Sequence, residues 1–478
     1  MRFSLRRFVV DGREACGRDS GPGPGEAAGS PSAKQVVFTL AVLAALGVVA
    51  YLRSAQLPFI SDDYIQVDLG WKYGALSGWR DLILDPLYRC RSTSLVLTYW
   101  TWRFFDLNPL AYNWSSIVLH VLNTWLVFGL GAWRLIGWRP AAVAAGFFAI
   151  YEGHQEAIMW YAALPELLVF FFTVLAFLCW VLWLQSGCRR HRYYVAALAA
   201  FLLALASKES SVVAVPLMLA AAAVERPRWR QTIPRLVPMA VLGVAYALLI
   251  HASRSEHLFY HDGTFSLSAP FLKTLMVSVG RLFWFWGLAS VLVLLALRPS
   301  RWRRTLMFAA IWIVVTFLPY SFLTYMPRVP SRHTYLASAG LSLVVAAALL
   351  AFRARAGRAH SWAMPVLVAL LVVHNCGYIW TRKQAQYLER AAPTESLLRF
   401  ARRVPGPIYL RCFPYGPVIA QLALEVTGAK PSNLLLIGGT PPSNAVPFCY
   451  GDFGRDNRGG ESPPSASLGA GATGAGPL

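Results

Sequence analysis

The chain has 478 residues, of which 56% are hydrophobic and 14% are charged, and its formal net charge is +21. Its mean hydropathy of +0.46 is too high for a soluble protein of this size and is typical of a helical membrane protein. In a soluble chain this positive charge would indicate nucleic acid as a partner. Here the Arg residues fall in short clusters between apolar segments, so we expect membrane lipids and no nucleic acid.

The chain begins with a basic stretch, and a Gly/Pro/Ala/Ser-rich stretch follows. This composition predicts a disordered cytoplasmic tail over 1–34. The first apolar segment, 35–52, lacks a clean cleavage site and is interpreted as an uncleaved anchor. Ten further spans are predicted, which makes eleven in an all-α membrane bundle over 35–381. The ten lie at about 111–133, 140–152, 163–185, 193–206, 210–224, 235–251, 272–297, 305–323, 334–352 and 361–380.

A long mixed loop, 53–110, separates the first two predicted spans and contains two adjacent acids, Asp62 and Asp63. A carboxylate in hydrocarbon is costly, so water or a polar pocket must hold the pair. The pair either belongs to a functional site or ends a helix whose acids only face water. Amphipathic stretches in the same loop, one of them over Ser92–Phe105, are expected to lie along the membrane interface.

The chain changes character after the last predicted span. Residues 382–454 contain a helical stretch (Glu395–Arg402), a strand-like run (Pro407–Cys412), a second helix (Val418–Val426) and another apolar run (Leu434–Ile437). They predict a small α/β unit on the outer face of the membrane. Two cysteines of this unit, Cys412 and Cys449, either pair in a disulfide or stay free, because nothing in the sequence fixes their separation. A Gly/Ser/Pro/Ala-rich tail over 455–478 is predicted to be disordered.

Arg clusters give the expected orientation. Every second loop after the second span is Arg-rich, and together these five loops hold sixteen Arg and a single acid, Glu225. The positive-inside rule places these loops and the N-terminus in the cytoplasm. Because eleven is an odd number of spans, the C-terminus is then expected outside. The acid-containing loops face outward as well, and the Arg- and Ala-rich composition favours a bacterial inner (plasma) membrane.

Charged and His side chains recur in the outward loops, at the ends of spans. They are Arg89 in the first loop, Glu152, His154 and Glu156 after the third span, Lys208 and Glu209 after the fifth, and Arg332 and His333 after the ninth. Acids and bases therefore converge at one membrane face, together with Asp62 and Asp63. This convergence predicts a functional site there.

Each cluster also has a structural explanation. Lys208 and Glu209 could form an ion pair that eases a tight turn, but a Lys between two apolar spans is expensive, which favours function. Arg332 and His333 could cap a helix start, and Arg89 could place its head group in the interface.

The loop after the third span has the residue types of a metal site. Glu152 and Glu156 are four residues apart and could share a helical face with His154 between them. A hydrogen-bonded network, either structural or in contact with the acceptor, is favoured over a metal. No cofactor is firmly implied, and a divalent metal stays an open alternative.

These residue types suit transfer of a sugar from a lipid-held donor. Outside the cytoplasm there is no pool of nucleotide sugars, so a transferase there needs a donor such as a polyprenyl-phosphate sugar. Its phosphate needs cations near the interface, for which Lys208, Arg332 and Arg89 are the candidates. The acceptor hydroxyl needs a carboxylate base, and the leaving phosphate needs its charge stabilised.

Four stretches resemble the GT-C superfamily of membrane glycosyltransferases, in particular the membrane region of protein O-mannosyltransferase-like proteins that carry tetratricopeptide repeats. They are Asp62-Asp63; Leu87-Tyr88-Arg89, which continues through Phe104–Asn113 to Leu119–Asn123; His154–Trp160; and Ser207-Lys208-Glu209 with Arg332–Leu336. The resemblance covers about 55–350. It implies that the donor is a lipid-phosphate sugar with mannose or a similar hexose, and that the acceptor is a hydroxyl of a protein, lipid or glycan.

By the same resemblance, Asp62 is the general base with Asp63 beside it, and Lys208 and Arg332 contact the donor phosphate. The chain departs from the family at three places. It has Tyr88-Arg89-Cys90 where Tyr-Arg-Pro is usual and Arg332-His333 where Arg-Tyr is frequent, and no tetratricopeptide array follows the bundle. Alternative functions are a transporter or lipid-linked sugar flippase, a membrane scaffold, and a lipid-linked sugar polymerase or ligase. The absence of a visible internal repeat counts against the transporter.

Overall fold

A computed structural model describes residues 31–85, 88–225, 229–253, 266–323, 330–357, 362–429, 435–437 and 441–451. The predicted C-terminal tail lies outside these residues, and so does all but the end of the predicted N-terminal tail. Within the described ranges the α-helices are α1 (Ala33–Tyr51), α2 (Asp63–Tyr73), α3 (Trp79–Leu84), α4 (Ser92–Phe105), α5 (Pro109–Gly129), α6 (Trp138–Ile150), α7 (Gln155–Met159), α8 (Leu164–Gln185), α9 (His191–Leu205), α10 (Ala214–Glu225), α11 (Trp229–Ser253), α12 (Phe271–Leu282), α13 (Phe285–Leu297), α14 (Arg303–Ser321), α15 (Ser338–Ala356), α16 (Ala363–Tyr378), α17 (Gln384–Arg403) and α18 (Pro417–Val426).

Seven helical segments of the described chain are long and apolar enough to cross a membrane, or eight if α12 and α13 form one broken span. This confirms a helical membrane bundle but does not reproduce the predicted count of eleven. Three predicted spans correspond to α6, α9 and α10, which have 13, 15 and 12 residues. At 1.5 Å per residue they fall short of a hydrocarbon core about 30 Å thick. The expectation that the termini face opposite sides depended on an odd count and stays a prediction.

The predicted span 272–297 is broken in the structure. Helices α12 and α13 meet at an angle of 85° across a break at Phe283 and Trp284. A bend of this size exposes backbone groups that lipid cannot satisfy, so it is tolerated where other protein segments or water reach the break. Tyr151 reaches the break between α12 and α13, where its hydroxyl donates a hydrogen bond of 2.8 Å to the carbonyl of Leu282.

The first long loop, 53–110, is built from two closely packed helices, α2 and α4. Gly70 on α2 allows the close approach, since a Cβ at this position would lie 2.6 Å from Thr98 Cγ2. Gln66 on α2 donates a hydrogen bond of 3.1 Å to the Thr98 hydroxyl, which in turn lies 2.9 Å from the hydroxyl of Tyr161. The loop is therefore fixed against the bundle, and the residues at the start of α2 have a defined position.

The C-terminal elements form the small α/β unit. Its strands are β1 (Ile408–Cys412), β2 (Leu435–Ile437) and β3 (Val446–Cys449), in a parallel sheet of order β2-β1-β3. Strands β1 and β2 and helix α18 coincide with predicted segments, whereas β3 was not predicted. A disulfide joins Cys412 to Cys449, whose Cα atoms are 4.6 Å apart, and so resolves the pairing that the sequence leaves open.

The α/β unit packs on the first long loop. Helix α18 packs against α2 and against α17, which continues the membrane helix α16 through a π-helical segment, Ile379–Lys383. The hydroxyl of Tyr415, in the turn before α18, donates to the carbonyl of Arg390 on α17. This docking brings residues that are far apart in the sequence to the start of α2.

Candidate active site

Asp62 and Asp63 have different environments although they are adjacent. Asp63 is 2% exposed, and its carboxylate accepts hydrogen bonds from the backbone N–H of Ile60 at 2.8 Å and of Ala162 at 2.7 Å. Burial raises the pKa of Asp63 to about 7, although these two hydrogen bonds act in the opposite direction. Asp63 therefore ties the start of α2 to the segment before α8.

Asp62 is only half-buried and precedes α2 as its N-cap residue, without a side-chain capping hydrogen bond. Its Oδ1 accepts a hydrogen bond of 3.0 Å from the hydroxyl of Ser61. Ser61 has φ = 48°, in the left-handed region that costs a non-glycine residue about 1–2 kcal/mol. Backbone strain of this kind clusters at functional sites, and here it holds the Asp62 carboxylate beside the bundle.

Lys208 is held by an acid that the sequence analysis missed. Its ammonium pairs with Glu166 on α8, and the two side chains are 15% and 2% exposed. The other oxygen of Glu166 accepts a hydrogen bond of 2.8 Å from the hydroxyl of Tyr320, and the same Tyr320 oxygen lies 3.0 Å from the hydroxyl oxygen of Ser210. Burial lowers the pKa of Lys208, and the nearby Glu166 and Glu209 oppose that shift. Lys208 is thus a positioned, partly neutralised cation.

Glu209, the sequence neighbour of Lys208, pairs with Arg91. Arg91 Nε lies 3.8 Å from a carboxylate oxygen of Glu209. The predicted Arg89 is half-buried in the same short 3₁₀ segment, Arg89–Arg91, and its backbone N–H donates to the Asp85 carbonyl at 3.3 Å. The first loop therefore reaches the Lys208 segment through Arg91.

Arg332 and Glu156 form the second ion pair of the site. The guanidinium of Arg332 donates to Glu156 at 2.5 Å, and the other oxygen of Glu156 accepts from the backbone N–H and hydroxyl of Ser331 at 2.6 and 2.9 Å. Burial opposes ionisation of Glu156, but Arg332 and Ser331 outweigh it and lower its pKa. The pair joins the segment after α6 to the segment before α15.

The indole ring of Trp160 contacts two guanidinium groups beside this pair. The guanidinium carbon of Arg332 lies 4.9 Å from the ring centroid of Trp160, and that of Arg390 lies 4.8 Å from the same centroid. Arg390 is half-buried and also lies 5.1 Å from the ring of Tyr387. In the described part of the chain, no carboxylate lies within ion-pair distance of Arg390.

The three residues with metal-site character do not converge. His154 is fully buried among aromatic rings, where its Nε2 lies 2.7 Å from the Ser338 hydroxyl and burial lowers its pKa well below the usual value. Glu156 forms an ion pair with Arg332. Glu152 has one buried carboxylate oxygen, Oε2, without a hydrogen-bond partner. Among the described residues, no group of three or more His, Cys, Asp or Glu side chains is arranged to hold a metal.

His333 is buried and stacks on Tyr320, with ring centroids 4.3 Å apart. Burial lowers its pKa well below the usual value, and the cations Lys208, Arg332 and Arg281 act in the same direction. A neutral imidazole in this position packs on Tyr320, whose hydroxyl binds Glu166 of the Lys208–Glu166 pair. The predicted residues Lys208, Arg332 and His333 are therefore brought together in the structure.

Electrostatic interactions connect the remaining pieces. Burial raises the pKa of Tyr415, and Asp62 acts in the same direction while Arg390 opposes it. Arg390 likewise lowers the pKa of both Asp63 and Glu156. Arg390 therefore interacts electrostatically with Asp63 at the start of α2 and with Glu156 of the Glu156–Arg332 pair.

Glu166 and Arg390 are the main residues that sequence reasoning missed. A signal for Glu166 was present, because an acid inside an apolar span is expensive and indicates a function or a partner. Arg390 had no such signal, since it lies in the polar stretch after the last predicted span, where a solvated Arg is ordinary.

The fold resembles those of solved membrane glycosyltransferases. ArnT from Cupriavidus metallidurans in the apo state has a TM-score of 0.52 and 17% identity, over 89% of this chain and 91% of that one. The apo oligosaccharyltransferase of Archaeoglobus fulgidus has a TM-score of 0.50 and 13% identity, over 86% and 65%. The same oligosaccharyltransferase, tethered to an acceptor peptide, has a TM-score of 0.47 and 16% identity, over 88% of this chain, which spans 61% of its length.

No protein-family model and no curated protein matches the chain. At the identities of the solved structures, the likeness establishes the fold. The predicted GT-C-type fold is therefore confirmed: an all-α membrane bundle with a small C-terminal α/β unit. The nearer resemblance, to O-mannosyltransferase-like proteins, stays a prediction.

Proposed function

We propose that the chain is a glycosyltransferase that moves a sugar from a polyprenyl-phosphate donor to an acceptor hydroxyl, with Asp62 as general base. The contrast between the two acids carries the proposal. Both carboxylate oxygens of Asp63 accept hydrogen bonds from buried backbone N–H groups. Asp62 is half-buried, and its carboxylate accepts one hydrogen bond, from the hydroxyl of Ser61, whose φ is positive. A base needs an accessible oxygen within hydrogen-bond reach of its substrate, and Asp62 has one.

The reaction breaks one bond to the anomeric carbon and forms another. The acceptor oxygen attacks that carbon while Asp62 takes the proton of the hydroxyl. The bond from the anomeric carbon to the phosphate oxygen breaks, and its electron pair stays on the polyprenyl phosphate. Cations already in place stabilise this charge as it develops, without reorganising during the reaction.

Arg332 is the first candidate for that role. Its guanidinium is fixed by Glu156 and by Trp160, so little side-chain entropy remains to be lost when it binds a phosphate. Lys208 is the second, held at the same place by Glu166. ArnT, whose apo form has this fold, has also been solved bound to undecaprenyl phosphate, a ligand of the proposed class.

We place the site on the outer, non-cytoplasmic face of the membrane. The Arg-rich loops favour this orientation through the positive-inside rule. The Cys412–Cys449 disulfide supports it, because structural disulfides persist in oxidising compartments and are rare in the cytoplasm. A hexose such as mannose is the proposed sugar.

The test is release of radiolabelled sugar from polyprenyl-phosphate mannose or glucose by the purified chain in lipid. The native chain should release sugar, and Asp62→Asn should lower the rate at least 100-fold, as expected for loss of a general base. Asp81→Asn is the matched control, because Asp81 is an exposed acid of the same loop. Full activity of Asp62→Asn would remove the mechanism.

The same experiment separates the main alternative. A transporter or flippase would release no sugar from any such donor, but would move the intact lipid between leaflets of a reconstituted vesicle. That movement should then depend on the buried charges Lys208 and Glu166 and not on Asp62.

A further inference from the structure

The α/β unit contributes a charged side chain to the interior of the site. Arg390 lies on α17, outside the group of cations that the sequence indicated, yet it shares the ring of Trp160 with Arg332. Because both guanidinium carbons lie within 5 Å of one ring centroid, they cannot be further apart than those two distances combined. Two cations within such a distance repel each other, and an anion beside them offsets that repulsion.

The acid in this cluster balances only one of the two cations. Glu156 pairs with Arg332 and uses its second oxygen on Ser331. Among the described residues, Arg390 has no ion pair and is held instead by the rings of Trp160 and Tyr387. A half-buried guanidinium that is positioned by aromatic rings and not by an acid has its N–H donors available for another partner.

Two further contacts fix Arg390 in place. Its own carbonyl accepts the hydroxyl of Tyr415, and its helix follows the π-helical segment Ile379–Lys383. Segments of this kind often occur at functional sites, where they rotate the following residues relative to a regular helix. The backbone of Arg390 is thus secured from the side of the α/β unit.

We propose that Arg390 and Arg332 together bind the phosphate group of the lipid donor, so that the α/β unit completes the donor site. This inference rests on the proposed function. A phosphate diester has two non-bridging oxygens that share one negative charge, and two guanidinium groups can bind these oxygens at once through their N–H donors. The same chemistry would bind free phosphate or the head group of an anionic bilayer lipid.

Direct binding measurements on the full chain in nanodiscs test this. Undecaprenyl phosphate is titrated by microscale thermophoresis in zwitterionic nanodiscs, with undecaprenol and inorganic phosphate as separate ligands. Arg390→Gln keeps a planar group between the rings and removes the charge. It should weaken undecaprenyl phosphate binding roughly 10- to 100-fold, the range for hydrogen bonds between charged groups. Undecaprenol binding should not change.

Arg403→Ala is the matched control, since Arg403 is an exposed Arg at the end of the same helix. It should bind undecaprenyl phosphate as the native chain does. Arg390→Lys keeps the charge but loses the fork and should give an intermediate affinity. Thermal unfolding of each variant in the same nanodiscs reports whether the fold is retained.

Two outcomes overturn the inference. In one, a folded Arg390→Gln variant binds undecaprenyl phosphate as tightly as the native chain. In the other, the variant loses affinity for inorganic phosphate by the same factor as for undecaprenyl phosphate, so that the residue only attracts anions in general. Failure of the proposed function is a separate result: Arg390-dependent binding of undecaprenyl phosphate without any sugar release would keep this donor-lipid site and remove the transferase.

Discussion

Replacing each of the two adjacent acids, Asp62 and Asp63, by Asn should show which acid stabilises the fold and which takes part in the reaction. In Asp63→Asn the amide can accept only one of the two backbone N–H groups, from Ile60 or from Ala162. The other N–H then faces an amide NH₂ and is left buried without a partner. Losing a hydrogen bond to a charged group costs about 1.5–3 kcal/mol, and an unsatisfied buried donor costs a further 1–3 kcal/mol. Relief of the buried charge offsets part of this, so we expect a net loss of about 2–4 kcal/mol in the free energy of unfolding.

Asp62→Asn should have a much smaller effect on stability. Asn can still accept the hydroxyl of Ser61, and its neighbour Asp63 keeps the contacts that fix the loop. What is lost is a negative charge at the start of α2, which is worth about 0.3–1 kcal/mol. Sugar transfer, by contrast, should be lost.

Both variants can be compared in mixed micelles by titrating with SDS, which gives the free energy of unfolding, and in lipid by sugar release from polyprenyl-phosphate donors. We expect opposite patterns: Asp63→Asn should be less stable, and Asp62→Asn should be stable but inactive. Equal destabilisation by the two variants would refute the assignment of separate roles. A stable and inactive Asp63→Asn next to an active Asp62→Asn would exchange the roles of the two acids.

Three further predictions concern the surroundings of the site. Glu166→Gln and Lys208→Met should each lower the free energy of unfolding by about 3 kcal/mol, because each leaves a buried partner without its counter-charge. In SDS titrations the loss in the double variant should be smaller than the sum of the two single losses by at least about 1 kcal/mol. Additive losses would contradict the ion pair. Burial raises the pKa of Glu152 to about 7, so the folded protein binds this proton more tightly than the unfolded protein does. The free energy of unfolding should therefore fall as the pH rises from about 4.5 to 7. Glu152→Gln should remove this part of the fall, and an unchanged pH profile would contradict the raised pKa. Cys412 and Cys449 should react with a membrane-impermeant maleimide on intact cells only after reduction, and labelling without reductant would show that they are free.

The sequence predicted most of the helices but not how they cross the membrane. Helix α4, Ser92–Phe105, has the bounds of a predicted amphipathic stretch, and β1 lies within the predicted strand-like run. Apolar composition alone could not show that 272–297 is broken, because both of its halves are apolar and the bend depends on what packs at Phe283 and Trp284. Nor could it separate a spanning helix from a shorter one inside the bundle, such as α6.

The partners in the site could not be predicted in the same way as its members. Asp62, Lys208 and Arg332 were found because a charge beside an apolar span is unusual. Their contacts join distant parts of the chain: Glu166 is 42 residues from Lys208, and Glu156 is 176 residues from Arg332. Helical and strand periodicity describes neighbours within one element, so it contains no information about such pairs.

The distribution of charge in the site itself favours transfer between an acceptor hydroxyl and a phosphate. Asp63 is occupied by backbone N–H groups, Glu156 by Arg332, and Glu166 by Lys208. Within the described residues this leaves Asp62 and Arg390 as half-buried charges of opposite sign that no ion pair neutralises. A carboxylate without a counter-charge can accept the proton of an acceptor, and a guanidinium without one can hold the anion that leaves. Arg390 lies on α17 and Asp62 in the first loop, and the packing of α18 against both α17 and α2 joins the two parts of the chain that carry these charges.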